Sequence, residues 1–211
     1  MIDLGFFALV FSSVFLVIDP FANIPVFQLF LEKFSAKDKA RTIRKSCIIA
    51  FGAFFLFSFV GPFLFSWMGI EFFSFRVAGG ILLLIIAAEM LLGFKTRTEL
   101  TSSEQEQAEE KENLTVTPLA IPLITGPGAI TTGIVLFSKA QAAWDIIAFI
   151  GAGTLAFVAC YALLSQSGRI SKFLSPIGMK IITRIMGLLL MSLAVQFILT
   201  GLKESGLFLL A

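Results

Sequence analysis

Apolar residues along this chain come in long unbroken runs rather than in alternation. Six runs each approach about 20 residues, the length a helix needs to cross the hydrocarbon of a bilayer. They are expected at Leu4–Leu31, Ser46–Met68, Phe72–Phe94, Val116–Phe137, Trp144–Leu164 and Ile181–Leu202. Continuous runs exclude the two-residue period of membrane β-strands. The predicted fold is therefore an all-α integral membrane protein of six transmembrane helices. Two connectors stand out. Glu32 to Lys45 is basic, and residues 95–115 form the one long polar linker, with Glu99, Glu104, Glu106, Glu109, Glu110 and Glu112. Ser103 and Glu106 in that linker have the spacing of a helix-capping pair.

Runs 1 and 4 are interrupted near their middles. Run 1 reads Ile18-Asp19-Pro20-Phe21-Ala22-Asn23-Ile24-Pro25, and run 4 passes through Pro118, Pro122 and Thr125-Gly126-Pro127-Gly128-Ala129-Ile130-Thr131. Five of the seven prolines fall in these two stretches. Proline inside a helix removes a donor and clashes with the carbonyl four residues back, whereas at the first position of a helix it fits well. Each run is thus expected to be two half-helices, the second restarting at Pro20 or Pro127.

The halves also resemble each other. A shift of 108 lays Arg76 on Arg184, Gly79 on Gly187, Gly93 on Gly201 and Lys95 on Lys203, and a shift of 107 lays Asp19-Pro20 on Gly126-Pro127. Each half holds three runs, an odd number, so the second half must be inverted in the membrane. The expected organisation is a first repeat at 1–94, a polar linker at 95–115 and an inverted second repeat at 116–211. Inverted repeats with corresponding broken helices are a transporter architecture, with the site at the breaks.

Composition strengthens the membrane reading, with 57% hydrophobic residues and only 14% charged. Of the sixteen Lys and Arg residues, thirteen fall in connectors 1–2, 3–4 and 5–6 or beside them. The positive-inside rule puts those connectors in the cytoplasm and both termini outside an inner or plasma membrane. No basic leader with a cleavage site precedes the first run, which is expected to be retained. The net charge of +2 gives no reason to expect a nucleic-acid partner. The bilayer is the expected partner, and the oligomeric state is left open. The chain has no His, which removes His-based nucleophiles, metal sites and proton relays. No catalytic residues, cofactor or metal are expected, and an enzyme is disfavoured. Cys47 and Cys160 lie in apolar runs and read as buried free thiols.

Asp19 is the one acidic residue near the middle of a run, and a carboxylate at that depth is a functional-site candidate. It is also placed to cap the half-helix beginning at Pro20. The restart at Pro127 has glycine in the capping place, which leaves the amides of Gly128, Ala129 and Ile130 and the helix dipole for an anion. One carboxylate and one anion-receiving helix end together suit a small zwitterion, an amino acid. Candidate substrate contacts are Asp19, Pro20, Asn23, Thr125, Gly126, Pro127, Gly128, Ala129, Ile130 and Thr131. Arg76 and Arg184 are candidates for a gate or a substrate-carboxylate contact, with snorkelling to the interface as the plainer role. Coupling is open between a proton on Asp19 and Na⁺ on freed carbonyls.

These residues carry a resemblance. Asp19-Pro20-Phe21-Ala22-Asn23-Ile24-Pro25-Val26-Phe27, Pro118 to Pro122, Gly126 to Ile130, and Phe75-Arg76-Val77-Ala78-Gly79-Gly80 are similar to the signatures of the MarC family, also called the SnatA or neutral amino acid transporter family. Ala22 departs from the glycine expected there. The resemblance implies a six-span inner-membrane protein and, for some members, transport of glycine, alanine or, by extension, serine. The alternative reading is a channel or exporter for a broader set of small solutes.

Overall fold

A helix that ends inside a membrane has to end for a reason, and the first helix of this protein ends at Asp19. In the computed structural model, which describes residues 3–31, 34–93, 124–173 and 176–206, α1 runs Leu4–Ile18 and α2 runs Pro20–Leu31. Asp19 between them is left-handed at φ 41°, the one non-glycine residue with positive φ among those described. The expected break in run 1 is present at the expected residue.

The remaining helices are α3 (Ala36–Met68), α4 (Phe72–Leu92), α5 (Pro127–Phe137), α6 (Ala143–Ser165), α7 (Ser167–Phe173) and α8 (Pro176–Glu204). No strand occurs among the described residues. Five segments are long and apolar enough to cross a membrane: Leu4–Ile24, α3, α4, α6 and most of α8, Ile177–Glu204. The sixth expected span is represented by α5 alone, an apolar half-length helix. Its first half, the linker at 95–115 and the Ser103–Glu106 cap lie outside the described residues.

Local chemistry sets the ends. Ser35 caps α3 by accepting the Asp38 amide at 3.2 Å. Asp145 accepts the amides of Gln141 and Ala142 just before α6, at 3.1 and 3.0 Å. Gly69 and Gly93 close α3 and α4 at φ 68° and 71°, a conformation other residues enter at a cost. α3 starts ten residues earlier than the second apolar run. Its 33 residues span about 50 Å, more than the hydrocarbon needs. The additional turns carry Lys37, Lys39, Arg41, Arg44 and Lys45, which extend the helix into the headgroup and water layers.

Two cores hold the bundle. In the larger, Phe54 and Phe55 of α3 pack against Phe149 and Phe157 of α6, with Phe54 stacked on Phe149 at 6.0 Å and tilted on Phe157 at 5.4 Å. Glycine makes the room: a methyl group at Gly153 would lie 2.9 Å from the Phe55 ring, and one at Gly133 would strike Ser58 and Phe54. In the smaller core, α4 and α8 run antiparallel around Leu83, Ala87, Leu190, Ala194 and Phe197. Gly80 faces Ala194 and Ile198, Gly187 faces Ala87, Met90 and Leu91, and Gly201 faces Phe73 and Val77. Small residues that let backbones approach are the usual cement between membrane helices, where lipid leaves little hydrophobic drive. Large apolar side chains cover the outside instead, with Leu4 and Trp67 each 79% exposed. Trp67 and Trp144 stand exposed at helix ends, where an aromatic belt is placed.

Gly79→Ala is expected to lower the melting temperature in detergent, because its methyl would overlap the Thr131 side chain across the α4–α5 contact. Overpacking of this kind costs about 1–3 kcal/mol. Gly52→Ala, which would meet nothing within 4 Å, is the control and is expected to melt at or above the parental temperature.

Candidate functional site

Breaking α1 from α2 releases backbone groups that side chains then recover. The Asp19 amide still closes the last turn of α1 on the Phe15 carbonyl at 3.1 Å. The Asn23 side-chain amide reaches back to the Ile18 carbonyl at 2.8 Å. One carboxylate oxygen of Asp19, Oδ1, accepts the Ala22 amide at 3.2 Å and so caps α2, with the Phe21 amide also turned toward the carboxylate. The other oxygen, Oδ2, is buried and has no hydrogen-bond partner. Asp19 as a whole is only 7% exposed. A buried carboxylate oxygen left without a donor is costly and calls for an explanation.

The start of α5 packs beside the end of α1. Gly126 stands in the N-cap position of α5 with no side-chain cap, followed by Pro127 at the first helical position. The Ile130 amide is taken by the Gly126 carbonyl at 3.1 Å. That corrects one expectation: two free amides remain at this helix end, Gly128 and Ala129, rather than three. Proline supplies none of its own. Gly128 sits where a methyl would lie 2.8 Å from Leu83 of α4 and 3.5 Å from Val17 of α1. Val17 is two residues before Asp19, so the amide-bearing end of α5 packs beside the end of α1 that leads into the carboxylate. Pro127 is exposed and Gly126 half-exposed, whereas Gly128, Ala129 and Thr131 are buried.

The other expected contacts are committed to the frame. Thr125 donates its hydroxyl to the Ala50 carbonyl of α3 at 2.8 Å, and Thr131 donates to the Pro127 carbonyl at 2.9 Å. Thr125 and Thr131 then keep only acceptor capacity for a ligand, whereas Asn23, bonded to Ile18 through its amide, keeps a second N–H and its carbonyl oxygen. They hold the two breaks in place. Pro20 is buried and starts α2 as expected. Ile130 is half-buried behind the free amides.

Arg76 and Arg184 lie away from this centre and apart from each other. Arg76 is buried and forms an ion pair with Glu204 at the end of α8, and its guanidinium lies 5.1 Å from the Phe72 ring centre. Its carboxylate partner is thus one of the chain's own. Arg184 is exposed, near Gly93 at the opposite end of the α4–α8 pair.

Sequence reasoning placed no thiol in this neighbourhood. Cys47 and Cys160 are both free and buried, as expected, but Cys160 hydrogen-bonds Cys47 and lies within electrostatic reach of Asp19. Runs 2 and 5 gave no signal for this, since a cysteine in an apolar run reads simply as a small hydrophobe. Thr132 was missed too, and its hydroxyl oxygen is buried without a partner.

Among the described residues, an all-helical bundle with apolar outer faces, a broken helix and an unsatisfied carboxylate at the break defines a multi-pass integral membrane protein. The profile described as MarC family integral membrane protein matches residues 4–205, and the chain belongs to that family. A UPF0056 membrane protein of Methanocaldococcus jannaschii is 34% identical over 201 residues, covering 95% of this chain and 98% of its own length. One from Archaeoglobus fulgidus is 36% identical over 203 residues, covering 95% of this chain and 94% of its own. The UPF0056 membrane protein YhcE of Escherichia coli is 33% identical over 193 residues, with 92% and 90% covered. No solved structure matches.

The double duty of Asp19 separates charge from capping. Asp19→Asn keeps an acceptor for the Ala22 amide and is expected to melt close to the parental protein. Asp19→Ala loses the cap, worth about 1 kcal/mol, and keeps a strained positive φ, so it is expected to melt lower. Differential scanning fluorimetry of the purified variants reads the difference.

Proposed function

We propose that this protein is a secondary transporter of small neutral amino acids, glycine, alanine and serine, that moves them by alternating access. The single observation that carries the reading is the buried Oδ2 of Asp19 without a donor, close to a helix end with two free amides. An ammonium on the carboxylate and a carboxylate on the Gly128 and Ala129 amides would satisfy both ends of a zwitterion at once. The small residues Gly126, Gly128 and Ala129 bring the start of α5 close against its neighbours, which suits a ligand whose charged groups are one carbon apart and leaves little room for a large side chain. The SnatA-like transporters that the sequence resembles point the same way.

The architecture we propose is six spans in two inverted three-helix repeats, residues 1–94 and 116–211, joined by the polar linker at 95–115. Three observations support it. α1 and α2 are broken at the residue that aligns with the start of α5. The equivalent helices α4 and α8 pack antiparallel, as an inversion requires. The aligned arginines fall at opposite ends of that pair, Arg76 by Gly201 and Glu204, Arg184 by Gly93. Thirteen of the sixteen basic residues would then lie on the cytoplasmic side of an inner or plasma membrane, with both termini outside. No nucleotide-binding motif occurs in the sequence, so the proposed drive is a gradient, of H⁺ carried by Asp19 or of Na⁺.

Uptake of labelled glycine into proteoliposomes tests this. Saturable uptake with counterflow is expected, and flux without saturation would indicate a pore instead. Asp19→Asn is expected to fall about 30-fold or more, since removing one partner of a buried charge pair costs roughly 2 kcal/mol or more. Full uptake by Asp19→Asn would end the charge-matching account.

A further inference from the structure

The α4–α8 contact is closely packed, and the charge it carries is unevenly placed. At one end Arg76 is sunk to 5% side-chain exposure while its partner Glu204 remains 45% exposed. The pair sits one turn beyond the closest backbone approaches. Gly79, three residues after Arg76, faces Thr131 of α5, and Gly201, three residues before Glu204, faces Phe73 and Val77 of α4. Lys139, in the turn after α5, lies in electrostatic reach of both Arg76 and Glu204. Three elements therefore converge on this one ion pair: the start of α4, the end of α8 and the end of α5, whose other end carries the free amides.

The opposite end carries the equivalent arginine. Arg184 takes the place of Arg76, with its guanidinium 4.0 Å from where a Gly93 methyl would stand. The position equivalent to Glu204 is Thr96, which cannot carry a charge. Among the described residues Arg184 makes no ion pair. The Arg76 arrangement is itself not fully satisfied, because its Nε is buried without an acceptor. A buried donor left unpaired offsets part of what the ion pair contributes, which keeps the closed arrangement from being overwhelmingly favoured.

We propose that Arg76 and Glu204 form a latch that holds the α4–α5–α8 end of the bundle closed and must separate for that end to open. Glu204 is the release element, since it already borders solvent, and Arg76 is the fixed element, held by Phe72. The latch rests on the alternating-access reading above. It adds to that reading the side that is shut in this structure and the bond that shuts it. An asymmetric latch biases the resting protein toward closure at the Arg76 end, because among the described residues no ion pair holds Arg184.

The test uses the full chain in lipid vesicles with a cysteine at Val77, beneath the latch against Gly201, and a membrane-impermeant maleimide as the probe. Buried Cys47 and Cys160 report general loosening. In the parental background labelling at position 77 is expected to be slow. Glu204→Gln is expected to speed it roughly tenfold while Cys47 and Cys160 stay unlabelled, the scale of one partly solvated ion pair. The reversed pair Arg76→Glu with Glu204→Arg is expected to return it to within about twofold of the parental rate. Should the reversed pair fail to fold, Glu204→Asp, which keeps the carboxylate, is expected to label more slowly than Glu204→Gln. Unchanged labelling in Glu204→Gln, equal gains at all three thiols, or no recovery in either rescue would overturn the latch. Glycine uptake in the same vesicles is read separately. Absent uptake with a normal labelling pattern removes the transporter reading and leaves the ion-pair closure standing.

Discussion

A helix interrupted inside a bilayer must find other partners for the amides and carbonyls it releases, because lipid offers none. Much of the centre of this protein answers that constraint. At Asp19 the answer is made by side chains: Asn23 takes the Ile18 carbonyl and one oxygen of Asp19 takes the Ala22 amide. At Gly126 the answer is incomplete, with two amides at the start of α5 left open. Asp19 thus caps the start of α2, whereas the start of α5 has no side-chain cap.

Around the breaks, packing follows from the same economy. Thr125 and Thr131 spend their hydroxyls on neighbouring carbonyls, and Gly128 lets α5 approach α1 and α4. Phenylalanine fills the α3–α6 core where glycine opens space for it, and glycine again brings α4 and α8 together. In the proposed rocking about a fixed site, seams of this kind would shift as units. In the proposed latch, the charged groups at the ends of α4 and α8 control which way the bundle leans.

Much of this was legible in the residues. The break at Asp19, the start of α5 at Pro127 and the end of α4 at Gly93 follow from proline and glycine placed in apolar runs, whose conformational effects are local, and the extents of α1–α2 and α6 follow from the lengths of those runs. α3 was read too short, because its first ten residues are basic, and hydropathy registers where a helix leaves the lipid rather than where it stops. The site was legible in part. Asp19 stands out by charge alone, but nothing local tells whether a threonine hydroxyl is free or already bonded to another helix. Nor does hydropathy tell that Gln196, in the last apolar run, is exposed and bonds Thr200 one turn along its own helix. The Glu204 partner of Arg76 and the Cys47–Cys160 contact are likewise tertiary facts between residues more than 100 apart, with no sequence signal joining them.

The central claim is that one ligand bridges a lone carboxylate and an uncapped helix end. Its most direct measurement is the thermal stabilisation of the purified parental protein by glycine compared with methylamine and glycolate, each of which carries only one of glycine's two charges. The account predicts a saturable rise in melting temperature with glycine and little with either fragment. Equal stabilisation by methylamine or glycolate, or none by glycine, would contradict it.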